Sequence, residues 1–274
     1  MKHPYFLLTV AAFLASLHLS AQTVVRGHVV NTRGETVEYV SIGFEDDSVG
    51  VVSDIRGHFE LTIPKGRTDT LSFTHVSYLP AVLPYSDYAS GQELTVVLYD
   101  KVVELAEVVV GKKNKPKTIV GKGVPVPGGV IGIAGHGSSE STEGGVTFSC
   151  SRDYVLSDIL LGVSGTSYQQ CTISINVYEK RDGRFVNILQ HPLYEIIKKE
   201  TGTQTLDVRP EENILLKLDT DYYVSLAVVD SEGDGMLFIK PYLKGGLYRN
   251  FIKGKTKRLP VCPAIRIKGY EVDQ

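Results

Sequence analysis

The sequence has no tryptophan, two methionines and three cysteines among its 274 residues. Carbohydrate platforms favour tryptophan for its large ring face, so its absence argues against a broad sugar-stacking surface. The cysteines are Cys150, Cys171 and Cys262, and their spacings fit no zinc signature. In an oxidising compartment they permit one disulfide with one thiol left over, whereas the alternative is that all three are buried apolar side chains.

A strong charge of one sign and a long hydrophobic run are also missing. The net charge of -2 offers no basic footprint for nucleic acid. The apolar run Tyr5–Leu17 is shorter than the ~20 residues that span a bilayer. Together with Lys2 before it and Ala21 after it, this run predicts a cleaved secretory signal at residues 1–21 rather than an uncleaved anchor. We expect no transmembrane segment after cleavage.

Short strand patterns fill the rest of the chain in two blocks. Seven short runs in residues 22–100 predict a small seven-stranded β-sandwich, as in Phe59, Leu61 and Ile63, which alternate with polar residues. Residues 146–274 repeat the alternation, most clearly over Thr172–Glu179, and predict a second sandwich of jelly-roll type. Residues 101–145 are expected to be an extended segment and a glycine-rich, mobile linker. The predicted fold class is all-β.

The first block carries a set of motifs in a specific order: Val25–Val29, the turn Asn31–Gly34, Val52–Leu61 and Leu71–Tyr78. In this order they resemble the carboxypeptidase regulatory-like domain, a transthyretin-like sandwich. The resemblance implies a domain that does no chemistry itself. Its fold-determining positions here are Gly27, Asp54, Gly57, Phe59 and Tyr78. In physical terms, an aspartate can accept backbone N–H groups in its turn, and a glycine permits a tight reversal.

The segment that follows resembles a second motif. Leu105–Gly111 is similar to the energy-coupling box that follows this domain in TonB-dependent nutrient receptors of Bacteroidetes-type bacteria. Its candidate partner-strand residues are Leu105, Glu107, Val108, Val109 and Val110. The alternative is a strand or linker inherited with the domain. Too few residues follow for a plug and a large membrane barrel, so we do not expect a transporter.

The second block resembles, more loosely, the C-terminal sandwich of short secreted proteins from the same bacteria. The residues that carry this resemblance are Ile175–Tyr178, Asp182–Arg184, Asn187–Leu189 and Asp221–Leu226. It implies no established activity. The predicted signal and the resemblance of the first block together predict secretion across the inner membrane, to the periplasm or the outer membrane.

Two local patterns suggest chemistry only weakly. His136 and Ser138 lie in a glycine run without the sharp turn of a serine nucleophile, which favours a solvated loop over a hydrolase. Asp230, Glu232 and Asp234 begin like a calcium loop, but Pro241 stands where the bidentate glutamate belongs. A hairpin turn explains these acids equally well. We expect no enzyme and no cofactor.

The region from Met236 to Lys268 contains no aspartate or glutamate. Its cations could contact an anionic surface such as lipopolysaccharide or an acidic glycan, or form one solvated face. The candidate contacts are the cations from Lys240 to Arg258, namely Lys240, Lys244, Arg249, Lys253, Lys255, Lys257 and Arg258. Tyrosines of the second block could bind sugars or simply fill sheets; they are Tyr178, Tyr194, Tyr222, Tyr223, Tyr242 and Tyr248.

The sequence therefore predicts a secreted, non-enzymatic adaptor or interaction protein of the cell envelope. Its partner would be an envelope protein or polysaccharide, and not nucleic acid. Two alternatives stay open: a module that binds glycans or other envelope polymers, and an accessory component of a TonB-dependent uptake system.

Overall fold

The computed structural model describes residues 23–44, 50–101, 115–121, 123–135, 142–250 and 256–272. Residues 23–101 form the first domain, whose elements are β1 (Thr23–Asn31), β2 (Ser41–Gly43), β3 (Gly50–Val52), β4 (His58–Ile63), β5 (Leu71–Thr74), β6 (Ala81–Leu83), α1 (Tyr85–Tyr88) and β7 (Leu94–Leu98). In the described residues these strands make two sheets, ordered β4-β1-β7 and β3-β2-β5-β6. Strand β7 runs parallel to β1, and the other pairs are antiparallel.

The two sheets of the first domain enclose one apolar core. Strand β4 alternates strictly between exposed and buried residues, so Phe59, Leu61 and Ile63 enter the core. At Gly27 a Cβ atom would lie 2.3 Å from the Leu94 carbonyl oxygen, so glycine lets β1 and β7 approach. The predicted seven-strand sandwich is confirmed in the described residues.

The turn before β4 is organised by Asp54. Its Oδ1 accepts the backbone N–H groups of Arg56 and His58, each at 2.8 Å. Gly57 has a φ of +76°, and its carbonyl accepts the Val29 N–H at 2.9 Å. Glycine adopts this left-handed conformation without the Cβ penalty, which fixes the turn against β1.

The second domain begins at the strands after residue 115. Its elements are β8 (Lys117–Val120), β9 (Val124–Pro125), β10 (Ile131–Ala134), β11 (Thr142–Ser149), β12 (Tyr154–Thr166), β13 (Gln170–Arg181), β14 (Arg184–Asn187), β15 (Leu193–Lys198), a 3₁₀ turn (Lys199–Thr201), β16 (Gln204–Val208), β17 (Leu215–Leu216), β18 (Asp221–Ser231), β19 (Met236–Ile239), β20 (Pro241–Leu243), β21 (Gly246–Asn250), β22 (Thr256–Leu259), β23 (Cys262–Pro263) and β24 (Ile265–Glu271).

Two large sheets pack face to face in this domain. Within the described ranges, one sheet runs β10-β19-β12-β24-β8, with β16 and β17 also on β12; the other runs β14-β13-β18-β11-β21-β22, with β15 also on β13. A small third sheet is β23-β20-β9. Inward residues of both large sheets, such as Ile159 and Ile173, form one core. No helix in the described part of the chain is long and apolar enough to cross a membrane.

The structure corrects the expected linker over residues 101–145. Strand β8 pairs with β24, β10 with β19, and β11 with both β18 and β21, so much of this stretch belongs to the second sandwich. The physical reason is the role of its glycines. A Cβ at Gly145 would lie 2.1 Å from the Val224 carbonyl oxygen, and one at Gly123 would lie 2.6 Å from the Tyr242 side chain. Here glycine serves close packing and not mobility.

Candidate binding cleft

A cleft of about 790 Å³ lies between the two sandwiches. Its volume is in the range of ligand-binding pockets. One side is the outer face of the sheet β3-β2-β5-β6, and the other is the outer face of β13 and its neighbours. The inward side chains of these strands form the two cores, so the cleft is lined mainly by the alternate side chains, which point away from the cores.

The first domain contributes a floor of small side chains. Ser41 and Thr74 stand opposite each other on β2 and β5, and Gly43 stands opposite Ser72. Small residues on paired strands make a flat surface with hydroxyl groups. The alternating residues Ile42 and Phe73 point into the core instead and are almost fully buried.

The second domain contributes a wall of amides, hydroxyls and rings. Ser174, Asn176 and Tyr178 follow one another on the outer face of β13 and are nearly buried. The Asn187 Nδ2 donates to Asn176 Oδ1 at 3.0 Å, and Asn187 Oδ1 accepts the Leu189 N–H at 3.1 Å. These bonds orient both amides across the β13–β14 pair.

Tyr39 joins the two domains beside the cleft. Its hydroxyl donates to Asp230 Oδ2 at 3.3 Å, and its ring meets Tyr194 edge to face with 5.0 Å between centroids. Tyr39 is buried, and burial raises the pKa of its hydroxyl. Its φ of +52° is unusual for a bulky residue, so the contacts with the second domain hold a strained backbone.

His75 and Val76 form a second contact between the domains. Val76 belongs to the first domain yet packs against the core of the second. His75 Nδ1 accepts the Ser77 N–H at 3.2 Å, which leaves the proton of the neutral ring on Nε2. That Nε2 is buried and meets no acceptor in the described residues. Burial lowers the pKa of His75 to about 4, so the ring is neutral at pH 7.

A buried charge pair supports the cleft wall. Glu143 is fully buried and pairs with Arg249 through Oε2, 2.8 Å from the arginine Nε, while its Oε1 accepts the Ser225 hydroxyl. Arg249 also donates to the Tyr178 hydroxyl at 2.9 Å. Burial opposes the charge on Arg249, but the Glu143 carboxylate outweighs it and raises the arginine pKa. Arg249 thus reaches the cleft while it stays bound to Glu143.

The described residues that line the cleft include no carboxylate. The basic side chains among them are His75, Lys101 and Arg249. The arrangement can hold a ligand by hydrogen bonds and positive charge.

The predicted fold positions lie in the first domain. Gly27, Asp54, Gly57 and Phe59 shape β1, the turn and the core as described above. Tyr78 lines the cleft, and its ring lies 5.3 Å from that of His75.

The three acids of the candidate calcium site do not converge on a common point. Among the described residues, no group of three potential metal ligands converges, and this includes Asp230, Glu232 and Asp234. Asp230 instead accepts the Tyr39 hydroxyl and its own neighbour, the Ser231 N–H at 2.8 Å. Only Asp230 belongs to strand β18, which ends at Ser231, whereas Glu232 and Asp234 lie in the turn before β19.

The basic tract does not form one uniform surface. Arg249 is engaged by Glu143, and Lys240 is half-buried between backbone pairings with Gly162 and Ala264. Lys257 and Arg258 are exposed on the edge strand β22, and Lys244 is exposed in the turn after β20. Lys253 and Lys255 lie outside the described residues.

Two other sets also fall outside the described residues: the candidate partner strand, with Leu105, Glu107, Val108, Val109 and Val110, and the loop with His136 and Ser138. They stay predictions. Cys150, Cys171 and Cys262 are buried free thiols. Burial raises the pKa of Cys150 to about 11, so it stays a protonated, unreactive thiol at pH 7.

The comparison with known protein families concerns the first domain. Residues 25–110 match the model of the CarboxypepD_reg-like domain. The first sandwich is therefore a carboxypeptidase regulatory-like domain, as the resemblance predicted, and its β-sandwich architecture agrees. No curated protein matches the chain. The second sandwich, which supplies half of the cleft, lies beyond the family match.

Proposed function

We propose that the protein is a non-enzymatic binding protein of the cell envelope, secreted into the periplasm or to the outer membrane, and that the cleft between its sandwiches holds the envelope partner. The observation that carries this proposal is the cleft itself. It is lined by hydroxyls, amides, rings and basic groups from both domains, including Tyr39 and Val76, which contact the second domain. A regulatory-like domain supports a module that binds without catalysing.

The attachment of the domains favours a shared site over two independent modules. The buried ring and the hydroxyl of Tyr39 contact the second domain, although the positive φ of Tyr39 strains the backbone of the first domain. Such strain persists where the surroundings over-determine a residue, as at binding sites. A fixed joint keeps both cleft walls in place before the ligand arrives, which lowers the cost of binding.

The test blocks the cleft without touching either core. Thr74 is exposed on the cleft floor, so Thr74→Trp fills the space above β5. Thr95→Trp makes the same change on the outer face of β7, away from the cleft, and serves as the matched control. The immobilised protein is incubated with fractionated envelope extract, and retained protein and polysaccharide are quantified.

We expect the wild type and Thr95→Trp to retain the same envelope component and Thr74→Trp to lose it. Equal retention by all three variants would place binding elsewhere and contradict the proposal. Hydrolytic activity of the purified protein that disappears in His136→Ala would contradict its non-enzymatic part.

A further inference from the structure

Strand β14 (Arg184–Asn187) is an edge strand that borders the cleft. In the described part of the chain it pairs with β13 alone. Phe185, Val186 and Asn187 all line the cleft, although the side chain of Val186 points to the opposite face of the sheet from its two neighbours. The cleft therefore reaches the free edge of this strand and not just one of its faces.

The hydrogen-bond pattern of the hairpin decides which backbone groups of β14 point outward. The Ile188 N–H donates to the Val177 carbonyl at 2.9 Å, so these two residues form a hydrogen-bonded pair of the antiparallel ladder. Hydrogen-bonded and non-hydrogen-bonded pairs alternate, which places Phe185 and Asn187 in non-hydrogen-bonded pairs. Their N–H and C=O groups point away from β13, and no described residue bonds to these four groups.

The four outward groups match the backbone of one more strand. Residues two apart on a strand are about 6.6 Å apart, and an extended peptide presents its own donors and acceptors at that spacing. Strand β14 contains no proline, and its register with β13 is unbroken by a bulge. The other edge strand of this sheet, β22, carries the exposed Lys257 and Arg258, and such charged side chains protect an edge from pairing.

The cleft side of an added strand would be apolar. A side chain opposite Phe185 points into the cleft, on the face that Phe185 shares with Tyr178. Apolar residues of the first domain, such as Val76 and Leu79, also line the cleft. Cross-strand pairs of an aromatic and a β-branched residue stabilise a sheet, so a β-branched or aromatic side chain fits this position.

The beginning of β14 carries a positive charge. Arg184 is exposed and stands opposite Arg181, which forms an ion pair with Glu179 at 2.9 Å. Within the described ranges no acid forms an ion pair with Arg184. The described lining of the cleft holds no carboxylate either. A carboxylate on the added strand, opposite Arg184, would therefore gain an ion pair with it.

We propose that an extended segment of an envelope protein adds to β14 as a new edge strand in the cleft. An apolar side chain of the segment enters the cleft beside Phe185, and the adjacent residue places a carboxylate opposite Arg184. The backbone of the segment bonds to the outward groups of Phe185 and Asn187. This inference rests on the proposed function and names the kind of partner that the same site takes.

The first test selects a phage-displayed library of random nonapeptides on the full chain. We expect the enriched peptides to alternate apolar and polar residues, to carry an acid, and to lack proline in the paired stretch. The affinity of a labelled, enriched peptide is measured by fluorescence anisotropy. Phe185→Pro removes an outward N–H but no bond to β13, and should bind at least about tenfold more weakly than Phe185→Ala, which keeps that N–H. Circular dichroism confirms that each variant is folded.

Amide hydrogen exchange, followed by NMR, detects the added strand directly. The N–H groups of Phe185 and Asn187 should exchange at least about tenfold more slowly with the peptide bound, whereas that of Val186, which already points to β13, should change little. Arg184→Glu should weaken binding of the acidic peptide about tenfold, and a peptide with lysine in place of the acid should prefer this variant. Arg258→Glu makes the same change at the opposite edge and should leave the affinity unchanged.

The inference is overturned if no peptide is enriched, if Phe185→Pro binds as well as Phe185→Ala, or if the two outward amides stay unprotected in the complex. Peptide binding that appears only after deletion of residues 102–110 would assign the edge to this chain's own segment. A dimer that Phe185→Pro dissociates would assign it to a second copy, and either result also overturns the inference. If envelope material is still lost in Thr74→Trp, the proposed function stands and only the added strand is wrong. If that loss is absent as well, both fail.

Discussion

Replacing Tyr39 with alanine should weaken the joint between the two domains more than any exposed tyrosine would. The side chain is buried, it lies edge to face against Tyr194, and it donates to Asp230. Both partners belong to the second domain. The substitution therefore removes contacts between the domains and leaves the core of the first domain intact, since Tyr39 is not part of that core cluster.

The magnitude follows from the parts of the side chain. Burying an aromatic ring removes at least about 150 Å² from water, which at about 25 cal/mol per Å² is about 4 kcal/mol. The hydroxyl bond to Asp230 adds about 1 kcal/mol, which Tyr39→Phe measures alone. We expect Tyr39→Ala to lower the free energy of unfolding by about 3–5 kcal/mol. Tyr99→Ala, at a position 63% exposed, should change it by less than about 0.5 kcal/mol.

The backbone of Tyr39 gives a sharper test. A left-handed φ costs a residue with a Cβ about 1–2 kcal/mol, and glycine avoids this. Glycine loses about 0.4–1 kcal/mol through the entropy of the unfolded chain. On balance Tyr39→Gly should be about 0.5–1 kcal/mol more stable than Tyr39→Ala, the reverse of the usual order. Urea unfolding followed by circular dichroism measures both. An alanine variant as stable as the wild type, or more stable than the glycine variant, would refute the reasoning.

Three further outcomes are expected. Glu143→Ala leaves Arg249 without its buried carboxylate and should lower the free energy of unfolding, measured in urea, by about 3–5 kcal/mol. Glu143→Met combined with Arg249→Met should recover much of that loss. A double variant as unstable as Glu143→Ala would contradict this expectation. Burial lowers the pKa of His75 from 6.5 to about 4, so the unfolded chain binds the extra proton first. The free energy of unfolding of the wild type should therefore fall by up to about 3 kcal/mol as the pH is lowered from 6.5 to 4. A His75→Gln variant with the same loss would show that the effect does not come from His75. A fragment of residues 115–274 should fold, and one of 146–274 should not, because the shorter one lacks β8, β10 and the start of β11; proton NMR dispersion decides.

Local sequence patterns predicted the fold where a strand has one buried apolar face and one polar face. The alternation of Phe59, Leu61 and Ile63 placed β4 correctly, and that of Ile173, Ile175 and Val177 placed β13. This two-residue period is visible in the sequence because the buried face of each strand is apolar and the other face is polar. Leu193–Lys198 forms a strand through its pairing with β13, a long-range contact that local periodicity does not reveal.

The glycine-rich stretch shows why local signals fail. Glycine is read as a turn or a flexible residue because it has no side chain, but the same absence lets two strands approach where no Cβ fits. Gly144 and Gly145 serve that purpose against Tyr248 and Val224. The chain alone does not say which strand will lie beside a glycine, so mobility and close packing give the same pattern.

The cleft could not be predicted from the sequence, for a related reason. The alternation over Thr172–Glu179 separates the polar residues of β13 from its core-facing residues, but it does not say what the polar face meets. This face meets the outer face of the first domain, because Tyr39 and Val76 attach the two sandwiches there. A single aromatic residue in a turn and a valine after a strand carry no sequence signal for a joint. Because residues of both domains line the cleft, the proposed binding at this site depends on an arrangement that neither domain has alone, and variants of Tyr39 should lose ligand together with stability.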